Sequence, residues 1–249
     1  MQTVLRQIHR YVYLGMVLVC FILYYPLLYI ARQSKKTAYK RLVRLRRRIA
    51  LMGSYLSGIY YKVHQSRTID WSRTYLICAN HTSNMDITAI MYACKGDFSF
   101  MGKAELLKNP VTGFFFKTVD IPVNRASKIS SFRAFKKAQA YLQDKHSVVI
   151  FPEGGISEHY PPRLDAFKNG TFKLALDTQM PILPLVIENA WEVFWDDGKA
   201  RGSRPGRIHI KILPPIETID FQGDADMLRD QVYARISEAW SASGNNPSQ

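Results

Sequence analysis

The first 69 residues contain no aspartate or glutamate, because Asp70 is the first carboxylate of the chain. The same stretch holds 13 of the 34 Lys and Arg residues, whereas residues 70–249 hold 21 basic and 20 acidic residues. A nucleic-acid-binding domain would carry its basic residues on the folded surface that meets phosphate. The distribution therefore argues against nucleic-acid binding. It divides the chain into a basic leader, residues 1–69, and a nearly neutral domain, residues 70–249.

Cysteine is also scarce, with three residues in 249 and no Cys-x-x-Cys pair. Cys20, Cys78 and Cys94 are an odd number, which argues against a disulfide framework and against a cysteine-ligated metal site. This usage suits a reducing compartment. Hydrophobic residues make up 47% of the chain and aromatic residues 12%, so it has ample material for a core and is not disordered.

A long apolar run lies inside the basic leader. Residues 11–31 carry no charge, and these 21 residues are long enough as a helix to cross a hydrocarbon core of roughly 30 Å. The run is too long for a secretory signal peptide. The basic flank that follows comprises Arg32, Lys35, Lys36, Lys40, Arg41, Arg44, Arg46, Arg47 and Arg48. We expect a membrane segment with the following domain on the cytoplasmic side, while Pro26 leaves open whether the segment spans the bilayer or bends back within one leaflet.

A second apolar pattern follows this run. Apolar side chains recur at steps of three and four at Leu42, Leu45, Ile49, Met52, Leu56, Ile59 and Val63. The spacing predicts one helix of about six turns with a single apolar face. Either this helix packs on its own domain, or it lies at the membrane interface with its arginines on anionic headgroups. We favour the interfacial helix, which makes anionic membrane lipids the expected partners of the leader.

Beyond Asp70, short apolar runs alternate with helical stretches. Strands are predicted at residues 75–79, 98–101, 121–123, 148–151, 182–187 and 208–213. Helices are predicted at residues 86–94, 104–108, 130–143, 172–178 and 225–240. The alternation indicates an α/β fold, with a mostly parallel sheet covered by helices on both faces and preceded by the membrane-associated helical segment. Ligand sites in such sheets lie just past the carboxyl ends of strands.

A histidine follows the first predicted strand of the domain. The segment Asn-His-Thr-Ser-Asn-Met-Asp at 80–86 places His81 at a strand-to-helix turn and Asp86 in the first turn of the next helix. A carboxylate that folds back on an imidazole fixes its tautomer and stabilises the imidazolium, which makes His81 a candidate general base. The alternative is a structural hydrogen-bonded pair, which is the commoner role when a histidine near an aspartate is taken alone.

Further polar residues follow other strands. Glu153, Gly154 and Gly155 follow the strand at 148–151, where adjacent glycines either permit close backbone approach to a ligand or form a tight turn. Lys103 and Arg125 each follow a predicted strand, so both could project into the site of His81. Two cations facing a His–Asp pair indicate an anionic substrate, with phosphate favoured. As isolated residues, each would be a solvated surface charge.

Taken together, four ordered blocks resemble the glycerophospholipid acyltransferase family, notably the 1-acylglycerol-3-phosphate acyltransferases. The blocks are His-x4-Asp at 81–86, Lys-x-Glu-Leu at 103–106, the segment around Arg125, and Phe-Pro-Glu-Gly at 151–154. The resemblance covers about residues 76–187 and closes with the proline-containing segment at 180–186. The basic two-helix leader resembles that of bacterial members, which sit on the cytoplasmic face of the inner membrane.

The resemblance implies a reaction. A fatty acyl group would pass from acyl-CoA or acyl-carrier protein to the free hydroxyl of a lyso-glycerophospholipid, with 1-acylglycerol-3-phosphate favoured as acceptor and phosphatidate as product. His81 would remove the proton of the acceptor hydroxyl, and Asp86 would orient His81. The freed oxygen would attack the thioester directly, with no covalent acyl-enzyme, no metal ion and no cofactor beyond the thioester co-substrate.

The resemblance also implies a binding site for the acceptor. Glu153, Gly154 and Gly155 would help to build it, and Lys103 and Arg125 would bind its phosphate. The sequence departs from the family pattern at 155–156, where Gly-Ile stands in place of the common Thr-Arg and one cation is lost. A lyso form of an amino-acid lipid is therefore an alternative acceptor. A non-catalytic lipid-binding protein is the alternative function.

Overall fold

The computed structural model describes residues 2–34, 37–195 and 201–245, so Lys35 and Lys36 of the predicted basic flank lie outside the described residues. The described residues form eight α-helices and seven β-strands. The helices are α1 (Gln2–Gln33), α2 (Ala38–Leu56), α3 (Met85–Ala93), α4 (Pro110–Thr118), α5 (Lys128–Gln143), α6 (Gly170–Thr178), α7 (Ala190–Val193) and α8 (Ala225–Ser241). The strands are β1 (Ile59–Gln65), β2 (Leu76–Ala79), β3 (Phe98–Lys103), β4 (Ile121–Val123), β5 (Ser147–Ile150), β6 (Ile182–Ile187) and β7 (Gly206–Ile212). Two 3-10 helices lie at Ala104–Lys108 and Thr218–Phe221.

The strands form one sheet in the order β1-β7-β6-β2-β5-β3-β4. All neighbouring pairs are parallel except β6 and β7, which are antiparallel. Strands β2, β5, β3 and β4 are consecutive neighbours that run in one direction, so their carboxyl ends share one edge of the sheet. Helices cover both faces, which confirms the predicted α/β fold with a mostly parallel sheet.

The two faces of the sheet belong to separate cores. In β2, Leu76 and Cys78 point to one face while Ile77 and Ala79 point to the other, as side chains alternate along a strand. Helices α5, α6 and α8 pack on the first face, and α3 packs on the second. Every side chain of β2 is buried, as is usual for a central strand of a parallel sheet. The carboxyl edge is therefore where the chain can place polar groups.

Helix α1 is long, apolar and largely uncovered. It continues through Pro26 and buries one narrow stripe of side chains, at Tyr13, Cys20, Phe21, Leu28 and Ala31. Many of its other apolar side chains are exposed, including Ile22 at 60% and Leu23 at 65%. By length and composition alone, α1 is able to cross a membrane.

The buried stripe of α1 keeps the helix in contact with the rest of the chain over most of its length. Near its start, the Ser203 N–H donates to the Arg6 carbonyl at 3.0 Å. In its second half, Phe21 packs edge-on against Phe115 of α4, and Leu28 is fully buried. Helix α1 therefore lies along the side of the domain rather than projecting away from it.

The prediction of a single helix of about six turns across residues 42–63 is wrong in its second half. Helix α2 ends at Leu56, and residues 59–65 form β1, an edge strand paired in parallel with β7. Gly58 makes the turn with a φ of +70°, a left-handed conformation that favours glycine. Ile59 and Tyr61 are buried while Tyr60 and Lys62 are exposed, which is the alternation of a strand. Residues 59–65 thus lie in the sheet. The boundary between the basic leader and the domain, placed between residues 69 and 70, stays a prediction.

The position predicted for the apolar face of α2, in the acyl region of a membrane, is also wrong. Leu42, Leu45 and Ile49 are buried in a cluster shared with α1 and α4. Side chains that are already covered by neighbouring helices cannot enter a bilayer. The structure therefore supports the other interpretation, in which α2 packs on its own domain.

The arginines of α2 divide into two groups. Arg46 donates to the Asp120 carboxylate and, at 2.7 Å, to the Phe98 carbonyl, while Arg47 donates to the Gly96 carbonyl at 3.0 Å. The other arginines of α2, Arg41, Arg44 and Arg48, are exposed. Only this second group is placed to meet a charged surface.

Candidate active site

Asp86 organises the loop between β2 and α3. Its Oδ2 atom lies 3.0 Å from Nδ1 of His81 and accepts the backbone N–H groups of Thr82 at 2.6 Å and Ser83 at 2.8 Å. The Asp86 side chain is fully buried, whereas 14% of the His81 side chain is exposed. The predicted His–Asp pair is therefore present, with its carboxylate inside and its imidazole reaching the surface.

The pKa of Asp86 is raised above its ordinary value, because burial outweighs its hydrogen bonds. Burial raises the pKa of Asp86, while the bond and charge of His81 and the N–H groups of Ser83 and Thr82 lower it. A carboxylate that accepts three hydrogen bonds holds the Nδ1–H tautomer of His81, which leaves Nε2 as the nitrogen that takes up a proton. This arrangement suits a general base.

Ser83 fixes the start of α3 and ties it to a distant segment. Its Oγ accepts the Met85 N–H at 3.1 Å, and its carbonyl accepts the Asp86 N–H at 3.0 Å. The same Oγ donates to the Phe194 carbonyl at 2.6 Å. The first turn of α3, and with it Asp86, is therefore held in place from outside the loop.

Glu153 joins the loops that follow β2 and β5. Its Oε1 accepts the His81 N–H at 2.7 Å, and its Oε2 accepts the Asp165 N–H at 2.8 Å. Only 6% of Glu153 is exposed, and burial raises its pKa to about 8 although both N–H groups lower it. Glu153 is thus placed to position the backbone of His81.

Two residues with no predicted role complete the setting of His81. The Phe151 ring stacks on the imidazole, with ring centroids 3.9 Å apart and planes 14° apart. Asn80 bridges to the end of β6 by donating to the Ile187 carbonyl at 3.0 Å and accepting the Ile187 N–H at 2.8 Å. These contacts restrain the His81 ring and the carboxyl end of β2. Nothing in the local sequence around His81 indicates that Ile187 lies beside Asn80.

The two predicted glycines occupy different environments. Gly154 has a φ of +84°, and a Cβ placed on it would lie 2.6 Å from Nζ of Lys168. Gly155 faces open space, since a Cβ there would meet no atom within 4 Å. The close approach at Gly154 brings the Lys168 ammonium to this loop. Lys168 is not among the site residues predicted from the sequence.

Lys103 and Arg125 lie on the same edge of the sheet as His81. Lys103 is the last residue of β3, Arg125 follows β4 by two residues, and both are exposed. In the strand order β2-β5-β3-β4, the row at this edge therefore runs His81, Glu153, Lys103, Arg125. With about 4.8 Å between strands, the axes of β3 and β4 lie roughly 10 and 14 Å from that of β2. Partial desolvation lowers the pKa of Arg125, and the charge of Glu105 opposes this shift.

The described residues contain no group of three or more His, Cys, Asp or Glu side chains that could hold a metal ion. Cys78, in the strand before His81, is buried, and burial raises the pKa of its thiol well above its usual range. A thiol held in its protonated form is a poor nucleophile. Cys78 is therefore not expected to act as a nucleophile at this edge.

The chain is thus an α/β protein with a His–Asp pair at the carboxyl edge of a mostly parallel sheet and with Lys103 and Arg125 in the same row. The family model described as Acyltransferase matches residues 60–188, just over half of the chain. The chain belongs to the Acyltransferase family, which confirms the resemblance found in the sequence.

Curated relatives carry more specific names. The chain is 27% identical over 179 residues to 1-acyl-sn-glycerol-3-phosphate acyltransferase alpha of Mus musculus, covering 71% of this chain and 61% of that protein. It is 29% identical over 188 residues to 1-acyl-sn-glycerol-3-phosphate acyltransferase of Limnanthes douglasii, covering 73% and 64%. This chain thus spans about three fifths of the length of these relatives.

A solved structure has the same fold. The crystal structure of the 1-acyl-sn-glycerophosphate (LPA) acyltransferase PlsC from Thermotoga maritima superposes with a TM-score of 0.82 and covers all of both chains. The two sequences are 21% identical, so this likeness concerns the fold alone. It includes the helices before the sheet, since the superposition covers the whole chain.

Proposed function

We propose that this protein is a membrane-bound O-acyltransferase that adds a fatty acyl group to the free hydroxyl of a lyso-glycerophospholipid. The proposed acceptor is 1-acylglycerol-3-phosphate, the proposed product is phosphatidate, and the donor is the thioester of acyl-CoA or acyl-carrier protein. The names of the curated relatives support this choice of acceptor. The observation that carries the proposal is the 3.0 Å contact between Nδ1 of His81 and Oδ2 of the buried Asp86 at the carboxyl edge of the sheet.

The proposed reaction has no covalent enzyme intermediate. Nε2 of His81 takes the proton of the acceptor hydroxyl while the hydroxyl oxygen attacks the thioester carbonyl. The tetrahedral intermediate then collapses, the carbon–sulfur bond breaks, and the thiolate takes the proton from the imidazolium. Asp86 stabilises the imidazolium between these two steps, because its carboxylate accepts the Nδ1–H throughout.

The cations at the edge suit the phosphate of the acceptor. Lys103 and Arg125 stand in one row with His81, and Lys168 approaches the loop at Gly154. Gly155 leaves open space beside that loop. Lys168 would supply a positive charge in the region where Gly-Ile at 155–156 replaces the Thr-Arg expected of the family.

For the membrane, we propose that α1 lies in one leaflet with its exposed apolar side chains in the acyl region. Helix α1 contacts the domain through the Arg6 carbonyl near its start and through its buried stripe from Tyr13 to Ala31, so a spanning orientation would draw neighbouring polar elements into the bilayer. Exposed Arg41, Arg44 and Arg48 would meet anionic headgroups beside it. The basic flank and the resemblance to bacterial members suggest the cytoplasmic face of a bacterial inner membrane.

The test is a panel of lyso-lipid acceptors assayed with one acyl-CoA and one acyl-carrier protein, using the wild type and His81→Ala. We expect turnover of lysophosphatidate by the wild type and its loss in His81→Ala, with the fold retained by circular dichroism. Gly155 and Ile156 depart from the family pattern. If a lyso amino-acid lipid is turned over faster than lysophosphatidate, that lipid is the acceptor instead of the proposed one. A wild type that turns over none of the panel would contradict the proposed function and favour a lipid-binding protein.

A further inference from the structure

A tyrosine-lined pocket lies at the edge of the sheet formed by β1. Its volume is about 390 Å³, and its lining consists of Tyr55 of α2, Tyr60, Tyr61 and Lys62 of β1, Tyr92 of α3 and Arg207 of β7. This volume is within the range of small-molecule sites in proteins. Four of the six side chains are tyrosines and the other two are cations, so the pocket offers aromatic faces and positive charge together.

The tyrosines form two stacked pairs. The rings of Tyr55 and Tyr60 have centroids 5.9 Å apart and planes 24° apart, and those of Tyr61 and Tyr92 have centroids 5.3 Å apart and planes 28° apart. Tyr61 is buried, and its hydroxyl donates to Oγ of Ser54 at 2.8 Å. Tyr55, Tyr60 and Tyr92 are exposed. The pocket therefore has one fixed ring and three rings that present aromatic surface to a ligand.

The two cations of the pocket are neighbours on adjacent strands. In the register of β1 with β7, Tyr60 lies opposite Arg207 and Lys62 lies opposite His209. Residues two apart on a strand share a face of the sheet, so Lys62 and Arg207 lie on the same face, one step apart. Both are exposed, and neither forms an ion pair among the described residues. Their charges are therefore placed to meet an anionic ligand.

These two cations point away from the helix proposed to lie in the membrane. Ile59 and Tyr61 pack in one core cluster with Tyr13 of α1. Because side chains alternate along a strand, Lys62 points to the other face of the sheet, together with Arg207. Charges on that face favour a ligand from solution over a lipid headgroup beside α1.

The pocket lies at the same edge of the sheet as His81. Strand β7 is antiparallel to β6 and parallel to β1, so the starts of β7 and β1 lie at the carboxyl ends of β6 and β2. In the order β1-β7-β6-β2, three strand spacings separate the pocket from the strand of His81, or roughly 14 Å. Strands β3 and β4, which carry Lys103 and precede Arg125, lie on the opposite side of β2. The pocket and this cationic row thus flank His81.

We propose that this pocket binds the phosphorylated adenosine of the acyl-CoA donor. Its base would stack on the exposed tyrosine rings, since every nucleotide base has a face that stacks on aromatic side chains. Its phosphates would be held by Lys62 and Arg207, which suit phosphate oxygens. The extended pantetheine arm is about as long as four residues, or roughly 14 Å at about 3.5 Å per residue, which matches the separation from His81.

The assignment to acyl-CoA rests on the proposed function, whereas nucleotide binding itself does not. A free nucleotide shares the same chemistry, so binding and kinetics are measured separately.

The binding test is calorimetric titration of the full chain with adenosine 3′,5′-bisphosphate, and with adenosine as the probe that lacks phosphate. We expect saturable binding of the bisphosphate by the wild type and much weaker binding of adenosine. Arg207→Gln and Lys62→Gln should each raise the Kd of the bisphosphate by about tenfold or more, because each removes a charged hydrogen bond. Tyr60→Leu should raise it by about fivefold or more, because it removes a stacking face.

Arg133→Gln is the matched control, since Arg133 is an exposed arginine of α5 that does not line the pocket. All the substituted side chains are exposed, so the variants are expected to fold. A wild type without saturable binding, or Arg207→Gln and Lys62→Gln variants that bind like the wild type, would overturn the proposal. Weaker flotation of Arg207→Gln with anionic vesicles, without nucleotide binding by the wild type, would show instead that the pocket meets the membrane.

A kinetic test then identifies the source of the nucleotide. The KM of acyl-CoA, S-acyl-pantetheine and acyl-carrier protein is measured for the wild type, Arg207→Gln and Arg133→Gln. We expect a rise of about tenfold or more for acyl-CoA in Arg207→Gln alone, and no rise for the two donors that lack adenosine. An unchanged KM for acyl-CoA in a variant that has lost bisphosphate binding would overturn the donor assignment and indicate a free nucleotide. An inactive wild type with intact bisphosphate binding would contradict only the proposed function.

Discussion

Asp86 and Asp120 are two buried carboxylates at opposite ends of the sheet, and they have similar partners. Each pairs with one nitrogen-bearing side chain, His81 for Asp86 and Arg46 for Asp120, and accepts backbone N–H groups, two for Asp86 and one for Asp120. Asp120 precedes β4 and lies at the amino ends of the parallel strands, whereas Asp86 follows β2 at their carboxyl ends. The two sites differ mainly in the side chain that pairs with the carboxylate and in whether that side chain reaches the surface.

The partner decides what a buried carboxylate does. Arg46 stays charged and is itself 4% exposed, and its second amino group donates to the Phe98 carbonyl, so the pair joins α2 to the sheet. His81 keeps part of its ring at the surface and has a ring nitrogen that can accept a proton. The first pair therefore holds the fold, and the second is able to move a proton.

The largest effect should follow Asp86→Asn. A neutral asparagine amide does not stabilise the His81 imidazolium as a carboxylate does, so we expect kcat/KM to fall by about 10²–10⁴-fold. The free energy of unfolding should change little by comparison, because the Asn oxygen still accepts the N–H groups of Thr82 and Ser83. Kinetics with lysophosphatidate and urea unfolding measure the two quantities on one sample. Equal losses in activity and stability would show that the pair is structural.

Arg46→Met should give the opposite result. Removing the guanidinium leaves Asp120 buried without its ion pair, which predicts a loss of about 3–5 kcal/mol in the free energy of unfolding. The folded fraction should keep its kcat, since Arg46 lies at the far end of the sheet from His81. Adding Asp120→Asn should restore part of the stability, because it removes the unpaired charge. A variant as stable as the wild type would show that the buried pair does not hold α2 on the sheet.

Glu153 lies between these extremes, because it is a buried carboxylate bonded only to backbone N–H groups in the described contacts. Burial raises its pKa from an ordinary value near 4.5 to about 8, so the folded state favours the protonated form. Its contribution to stability is then full below pH 4.5 and is lost as the pH rises through about 8. We expect the free energy of unfolding to fall between about pH 4.5 and 8 in the wild type and to vary less in Glu153→Gln. The same slope in both proteins would exclude Glu153 as the titrating group.

The same contrast explains what could be predicted from the sequence. His81 and Asp86 are five residues apart on a strand-to-helix turn, so their contact follows from local geometry. Arg46 and Asp120 are 74 positions apart, and only the packing of α2 on the sheet brings them together. Each strand of the domain is a short apolar run, so the sequence pattern predicts the parallel sheet. The parallel sheet in turn predicts that Lys103 and Arg125 lie at the same edge.

Elements that depend on tertiary contacts were missed or misassigned. The apolar residues Ile59 and Val63 of β1 continue the helical spacing of α2, which is why the pattern predicts one helix. Gly58 is the local sign that the helix ends before them. Helix α4 was not predicted, although Pro110 at its first turn and Asn109, which accepts the Val111 and Thr112 N–H groups, form a recognisable start signal.

The smallest effect on stability should come from the exposed arginines of α2. Arg44→Ala and Arg48→Ala remove charges that have no ion pair among the described residues, so each should change the free energy of unfolding by less than about 0.5 kcal/mol. Their effect should instead be on membrane binding, where each arginine near an anionic surface contributes about 1 kcal/mol, or roughly fivefold in affinity. Flotation with vesicles of neutral lipid and of mixed anionic lipid measures this, and Arg133→Ala on α5 is the control from the opposite face of the sheet. If Arg133→Ala weakened anionic binding as much as Arg48→Ala, the α2 face would not be the surface that meets the membrane, and α1 alone would have to orient the domain.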